Sequence, residues 1–262
     1  MTTSGNGFRP LRATVIVPCY NEASRIDAPA FRAYLGGPGA AHIIFVDDGS
    51  TDGTFSVLAA ICSGREGKTE ALRLPRNCGK AEAVRVGVAH ALEHVEQDVI
   101  GYWDADLATP LDSISSLLAV LEAREEIAMV FGSRVKLLGR CVERRATRHY
   151  LGRVFATAVS TMLHLPIYDT QCGAKLFRAD TQAREVFARP FLSKWVFDVE
   201  ILARYLNLNG NDPKRLAAMI YEYPLECWTD VAGSKVRAHD FLTAIVDLAR
   251  IRGEYLRHLE PA

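Results

Sequence analysis

The chain has 262 residues, 49% hydrophobic and 24% charged, a composition that excludes a disordered or fibrous protein and allows a core of ordinary size. Lys plus Arg and Asp plus Glu both number 31, so no net field draws it to nucleic acid or to an anionic membrane; any such attraction is local. The six cysteines are scattered without a C-x-x-C pair, and the start MTTSGNGFRP lacks the order of a signal peptide. Both features fit reduced thiols in a cytoplasmic setting.

In chain order, ATVIVP at 13–18 and HIIFVD at 42–47 are short β-branched runs closed by turn residues, as buried parallel strands are. A helix is expected over 23–35 between them. Further helices at 54–61 and 80–92 and strands at 71–74 and 99–103 continue the alternation, followed by a helix at 111–124 and a strand at 128–132. Such a series predicts one α/β domain with a mostly parallel sheet flanked by helices. After the arginine-dense GRCVERRATRHYLGR the order changes: an amphipathic helix at 147–165, a strand AKLFR at 174–178, a helix at 198–208, a strand at 218–223 and a last helix at 237–258. Residues 1–12 read as a disordered lead-in.

In an open α/β sheet, ligands bind beyond the carboxyl ends of the strands. Three runs end in such chemistry: Pro18, Tyr20, Asn21 and Glu22; then Asp47, Asp48, Gly49 and Ser50; then Asp104, Ala105 and Asp106. A single strand-terminal Asp is ordinarily a turn former. Two carboxylates one residue apart after the apolar VIGYW can share a hard divalent cation, Mg²⁺ or Mn²⁺, that bridges to phosphates. Two other phosphate-binding designs fail on spacing. CSGREGKT has Cys62 where a P-loop needs Gly, and the first βα turn, PCYNEA, has no glycine for a dinucleotide fingerprint. Gly79 and Lys80 open a helix whose N-terminus favours phosphate or sugar hydroxyls, although a first-turn lysine can simply be solvated.

VIVPCYNEA at 15–23, VDDGSTDGT at 46–54, NCGKAEAV at 77–84, DAD at 104–106 and GSR at 132–134 resemble, in order and spacing, the family-2 inverting glycosyltransferases of GT-A fold. DTQCGAKLFR at 169–178, WVFDVE at 195–200 and W-x(4)-GSKV from Trp228 narrow the likeness to the dolichyl-phosphate β-glucosyltransferase, or polyprenyl-phosphate glycosyltransferase, branch. The resemblance implies a UDP-sugar donor, glucose as the sugar, a polyprenyl-phosphate acceptor and a Mg²⁺ or Mn²⁺ cofactor. It divides the chain into a nucleotide-sugar-binding half at 13–134 and an acceptor-binding half at 135–262.

Carried over by position, the resemblance places Pro18, Tyr20, Glu22, Val46, Asp48, Gly79, Lys80, Asp104, Ala105 and Asp106 around the nucleotide sugar, with Asp48 on the base and Asp104 near ribose and metal. Asp106 becomes the principal metal ligand. Related mannosyltransferases carry a Gln two residues further on, where this chain has Ala108. Arg134 would neutralise phosphate, or else pair with a nearby acid. Asp169, Gln171, Lys175 and Trp195 would shape the sugar and acceptor pocket, Asp169 also fitting a plain turn. A phosphate acceptor is already anionic, whereas a soluble hydroxyl acceptor needs a base, for which Asp198 is the candidate if it is not simply a helix cap. Members of the eukaryotic branch carry a membrane-spanning anchor, and no apolar stretch here approaches the ~20 residues a span requires. Arg144, Arg145, Arg148 and Arg153 beside the stripe Leu151, Val154, Phe155, Ala158, Val159, Met162 and Leu163 suit either a helix peripheral on a membrane face or a helix facing the core. The last helix, with Phe241, Leu242, Ile245, Val246 and Leu248, poses the same choice.

Overall fold

The structure, a computed structural model, describes residues 9–143, 146–231 and 238–259, excepting the side chains of 146–151 and 238–242. Residues 1–8 of the expected lead-in, Arg144, Arg145, the GSKV residues and the side chains of Arg148, Leu151, Phe241 and Leu242 lie outside that description.

The elements run β1 (Ala13–Cys19), α1 (Ala28–Gly36), β2 (His42–Asp47), α2 (Thr54–Cys62), β3 (Thr69–Arg73), α3 (Lys80–His94), β4 (Val99–Trp103), α4 (Ser113–Ala123) and β5 (Met129–Ser133). The second half adds β6 (Cys141–Glu143), α5 (Ala146–Leu163), β7 (Ala174–Arg178), α6 (Thr181–Ala188), α7 (Phe197–Leu208), α8 (Pro213–Ala218), β8 (Ile220–Pro224), β9 (Cys227–Thr229) and α9 (Ala238–Tyr255). A seven-stranded sheet has the order β3-β2-β1-β4-β7-β5-β8, and β6 and β9 form a separate parallel ladder. Within the large sheet only the two pairings of β7 are antiparallel.

Alternation along the strands builds a core on each face. Val15, Val17, Ile43 and Phe45 pack with α1, α2 and α4, while Ile16, Ile44 and Val46 pack with α3, α7 and α9. Because side chains alternate faces with period two, a sheet covered on both sides needs these near-continuous apolar runs.

Besides the short strands β6 and β9, which were not expected, the structure differs from expectation in four places. Helix α1 begins at Ala28, since Asn21 has φ 51° and the N–H groups of Arg25 and Ile26 close a turn on the Glu22 carbonyl; Asp27 then caps the helix by accepting from Ala30 N. Helices α6 and α8 were not expected, yet each starts at a capping aspartate, Asp180 and Asp212. The described end of the lead-in is tied down: Leu11 N donates to Glu122 and Arg12 N to Asp98. The stripes of α5 and α9 are split, Val159 and Leu163 being buried while Val154, Ile245 and Val246 are exposed; α9 turns Ala244, Asp247 and Ile251 inward instead.

Candidate active site

The carboxyl ends of β1 and β2 are joined by a local network. Asn21 N donates to Ser50 Oγ, Thr51 N to Asn21 Oδ1, Glu22 N to Thr54 Oγ1, and Ala23 N to Asp52. Asp47 accepts from Ser50 N and pairs with Arg73. Between them Gly49 has φ 64°, and a Cβ there would meet the Arg76 backbone at 2.3 Å, so only glycine fits the DDG turn. Pro18, Tyr20 and Glu22 are half-buried along this rim, and Glu22 holds Arg25 at 3.3 Å.

Asp48 is 2% exposed and accepts from Cys78 N at 2.7 Å and Gly79 N at 2.8 Å. Burial, opposed by these two N–H groups, raises its carboxyl above the ordinary range. It therefore anchors the loop that starts α3. Val46 is fully buried in the core beneath α3, so its side chain does not open onto the rim.

That anchoring delivers Lys80 to the DAD segment, where its Nζ donates to Asp104 Oδ1 at 2.5 Å. Burial works against the ammonium, but Asp104, Asp198 and Asp106 outweigh it and raise Lys80 above its usual value. Asp106 accepts from Ala108 N at 3.1 Å, and burial together with the like charge of Asp104 raises its carboxyl. Ala105 and Ala108 are each 8% exposed and pack inward. Among the described residues no three His, Cys, Asp or Glu side chains meet as a metal cluster, and Asp104 and Asp106 are the carboxylate pair that this locus offers a hard cation. A mutually repelling pair of hard oxygen donors fits Mg²⁺ or Mn²⁺ that also takes ligands from diphosphate and water.

Behind the pair lies a buried relay. Asp198 Oδ1 accepts from Lys175 Nζ at 2.5 Å and from the hydroxyl of Tyr102. Lys175, 1% exposed, also donates to the carbonyls of Thr170 and Cys172. All three ammonium donors are thereby used, and the DTQC turn is fastened to the first turn of α7. Asp198 is at the second helical position, not the cap. Burial and the Asp198 charge push the Tyr102 phenol well above its usual value.

At the end of β5, Arg134 forms a two-pronged pair with Asp169, Nε to Oδ2 at 2.6 Å and Nη2 to Oδ1 at 2.7 Å. Burial opposes the guanidinium charge, but Asp169 holds its pKa above the ordinary value. Glu222 accepts from Tyr168 N and Asp169 N, each at 2.8 Å, and so fixes the segment that carries Asp169. A small cavity here is lined by Arg134, Arg153, Tyr168, Thr170 and Gln171. Ser133 Oγ, Thr170 Oγ1 and Gln171 Nε2 are buried nearby with no hydrogen-bond partner among the described residues, unspent capacity that a polar ligand can use. Trp195 is not among the residues lining this cavity; it is 42% exposed on a turn held by Glu200, which accepts from Leu192 N, Ser193 N and Arg204.

Of the expected residues, the fold brings Lys80, Asp104 and Asp106 to one locus, joins Lys175 to Asp198 behind it, and pairs Arg134 with Asp169. Sequence reasoning missed Tyr102, Gly173 and Glu222. Tyr102 read as one more core aromatic of VIGYW and Glu222 as a strand residue. Gly173 was signalled only by its presence in DTQCG.

Comparison with known proteins gives the family and the fold. The model of glycosyl transferase family 2 matches residues 14–181. The dolichyl-phosphate β-glucosyltransferase of Dictyostelium discoideum is 32% identical over 257 residues, covering 93% of this chain and 74% of the relative. That of Mus musculus is 33% identical over 259 residues, covering 93% and 75%. Among solved structures, glucosyl-3-phosphoglycerate synthase from Mycobacterium tuberculosis, in complex with Mn²⁺, UDP and glucosyl-3-phosphoglycerate, superposes with TM-score 0.64 at 19% identity, covering 93% of this chain and 80% of that one. That likeness establishes the GT-A fold. The chain belongs to glycosyl transferase family 2 and is a glycosyltransferase similar to the dolichyl-phosphate β-glucosyltransferases.

Proposed function

We propose that this enzyme transfers a hexose, glucose by analogy with its named relatives, from a UDP-sugar to a polyprenyl phosphate with inversion at C1. The observation that carries the acceptor assignment is the state of Asp198. Its Oδ1 is engaged by Lys175 and Tyr102 in a buried setting, which suits a structural anion better than a base that must collect a proton. An acceptor phosphate oxygen is already anionic and needs no such base.

The acceptor oxygen attacks C1 opposite the leaving UDP, so the site must align both groups and stabilise charge growing on the diphosphate. Lys80, at the mouth of α3, supplies one positive charge beside Asp104. Asp106 with Asp104 would hold Mg²⁺ or Mn²⁺, which when bound compensates the diphosphate charge. Solved structures of the fold neighbour with UDP-glucose and Mn²⁺ support both the donor and the cation. Pro18, Tyr20, Glu22 and the turn held by Asp48 line the nucleotide side. Arg134, Asp169, Gln171 and Trp195 border the acceptor side.

A lipid acceptor requires contact with a membrane face, which we place on its cytoplasmic side. Among the described residues no helix is long and apolar enough to cross a membrane. The exposed Leu138, Val154, Trp195, Ile245 and Val246 supply apolar surface for a peripheral contact.

The test is an acceptor panel with UDP-glucose and Mn²⁺: a polyprenyl phosphate, the corresponding free polyprenol, and phosphoglyceric acid. Product is expected with the first alone. Equal transfer to the free alcohol would restore Asp198 as a base and overturn the acceptor assignment. Independently of turnover, UDP is expected to raise the melting temperature only with the cation, and Asp106→Ala to abolish that shift.

A further inference from the structure

The two-stranded ladder β6–β9 aligns Cys141 directly with Cys227, Val142 with Trp228 and Glu143 with Thr229. Val142 is buried, so the residues on either side of it face outward; Cys141 and Cys227 are both exposed and both free thiols. Paired residues on neighbouring strands point to the same face, and strands lie about 4.8 Å apart. A Cα separation of that order is inside the ~4.4–6.8 Å that a disulfide spans. The other four cysteines are buried or half-buried, and none lies opposite another in a described strand pairing.

We propose that Cys141 and Cys227 are a redox site, closing reversibly into an intrachain disulfide by exchange with a small-molecule disulfide such as oxidised glutathione. The thiolate of one cysteine attacks a sulfur of the oxidant, forming a mixed disulfide and releasing one small thiol. The facing cysteine then displaces the second small thiol and completes the protein disulfide. In sum two protein thiols become one disulfide and one small disulfide becomes two thiols, with both protons passing to the released thiols.

The location gives the bond a consequence. Trp228, next to Cys227, lies under Arg134, whose guanidinium carbon is 5.3 Å from the ring centroid. At the far end of β9, Thr229 N donates to the carbonyl of Ala108, in the turn after the DAD pair. Cys141 N donates to the Glu226 carbonyl at 2.7 Å, so the ladder is already registered at the point of closure. The bond would tie the chain entering α5 to a strand that touches both sides of the site. Desolvation and the neighbouring Cys141 thiol raise the Cys227 thiol above its usual value, so closure speeds up with pH as the thiolate fraction grows.

The full chain is equilibrated across reduced-to-oxidised glutathione ratios, trapped by alkylation, digested without reduction and mapped by mass spectrometry. The expected result is a peptide linking Cys141 to Cys227 in monomeric protein, reopened by dithiothreitol, with melting raised by roughly 5–10 °C while it is closed. Cys141→Ser is expected to lose the linked peptide and leave Cys227 as a glutathione adduct. Independent alkylation or glutathionylation of both cysteines at every ratio overturns the proposal. So does linkage between two chains, or pairing of either residue with another cysteine.

Discussion

Gly173 lies against the Asp104 carboxylate so closely that a Cβ would stand 1.9 Å from Oδ2, while its carbonyl accepts from Asp104 N at 3.0 Å. The side chain of Asp104 is thus set by a backbone from the other half of the molecule. Gly173→Ala must displace that carboxylate, and a misplacement of about 1 Å near the chemistry costs on the order of a hundredfold in rate. We expect kcat/KM for the donor to fall by about that factor with the far-ultraviolet spectrum unchanged; wild-type kinetics would show that Asp104 is not held this way. Lys175 gives a different signature. Lys175→Met leaves Asp198 as a buried charge without its cation, which costs about 3–5 kcal/mol. Urea unfolding should register that loss, and adding Asp198→Asn should recover part of it, because the unpaired charge goes with it. A Lys175→Met protein as stable as wild type would mean that the pair contributes no folding stability.

At the scale of elements, the strands of the first half were legible because a parallel sheet covered on both faces demands near-continuous apolar runs, and ATVIVP, HIIFVD and VIGYW meet that demand. The DAD and DDG positions were legible because they follow such runs directly, and GK because it opens a helix. The sequence could not show that β7 enters antiparallel between β4 and β5, since pairing order is decided by contacts between segments far apart in the chain. Lys175 was therefore expected to face a pocket, whereas that register faces it with Tyr102 and seals it under Asp198. The short β6 and β9 have too few residues to show a period, and α6 and α8 signal themselves only by capping aspartates. Element starts also carry a titratable device. Asp98 accepts from Arg12 N at the entry to β1 and pairs with Arg9 and Arg12. Burial alone would raise its carboxyl, but the Arg12 N–H and the two guanidinium groups outweigh it and hold it below the ordinary value. A depressed folded pKa gives stability that is present above the unfolded value of about 3.9 and is lost as pH falls through the folded one. Asp98→Asn should be less stable than wild type at neutral pH, by less than about 1 kcal/mol because the site is partly solvated. The two stabilities should converge as pH falls below the unfolded value of about 3.9 and through the folded one; a gap that persists in strong acid would place its origin outside this titration.

For the molecule as a whole, balanced charge leaves no long-range attraction toward an anionic surface, so any membrane affinity has to come from apolar contact and local basic residues. The large exposed apolar side chains among the described residues all lie after residue 134, on separate elements: Leu137 and Leu138 before β6, Val154 on α5, Leu192 and Trp195 before α7, Ile245 and Val246 on α9. Among the described residues, 9–134 contribute no large exposed hydrophobic residue to this set. Under the proposed lipid-borne acceptor, these side chains are the candidates for contact with an interface. Full burial of one large apolar side chain is worth about 1.5–3 kcal/mol, and 1.4 kcal/mol is a factor of ten in partitioning. Sedimentation with vesicles of neutral and anionic lipid should therefore capture the protein, and Leu138→Asp or Val154→Asp should each weaken capture roughly tenfold without altering UDP binding. Mixing in anionic lipid should strengthen capture by a smaller, salt-sensitive factor. Equal capture of both variants and wild type would remove these side chains from the interface and leave the acceptor to reach the site by another route.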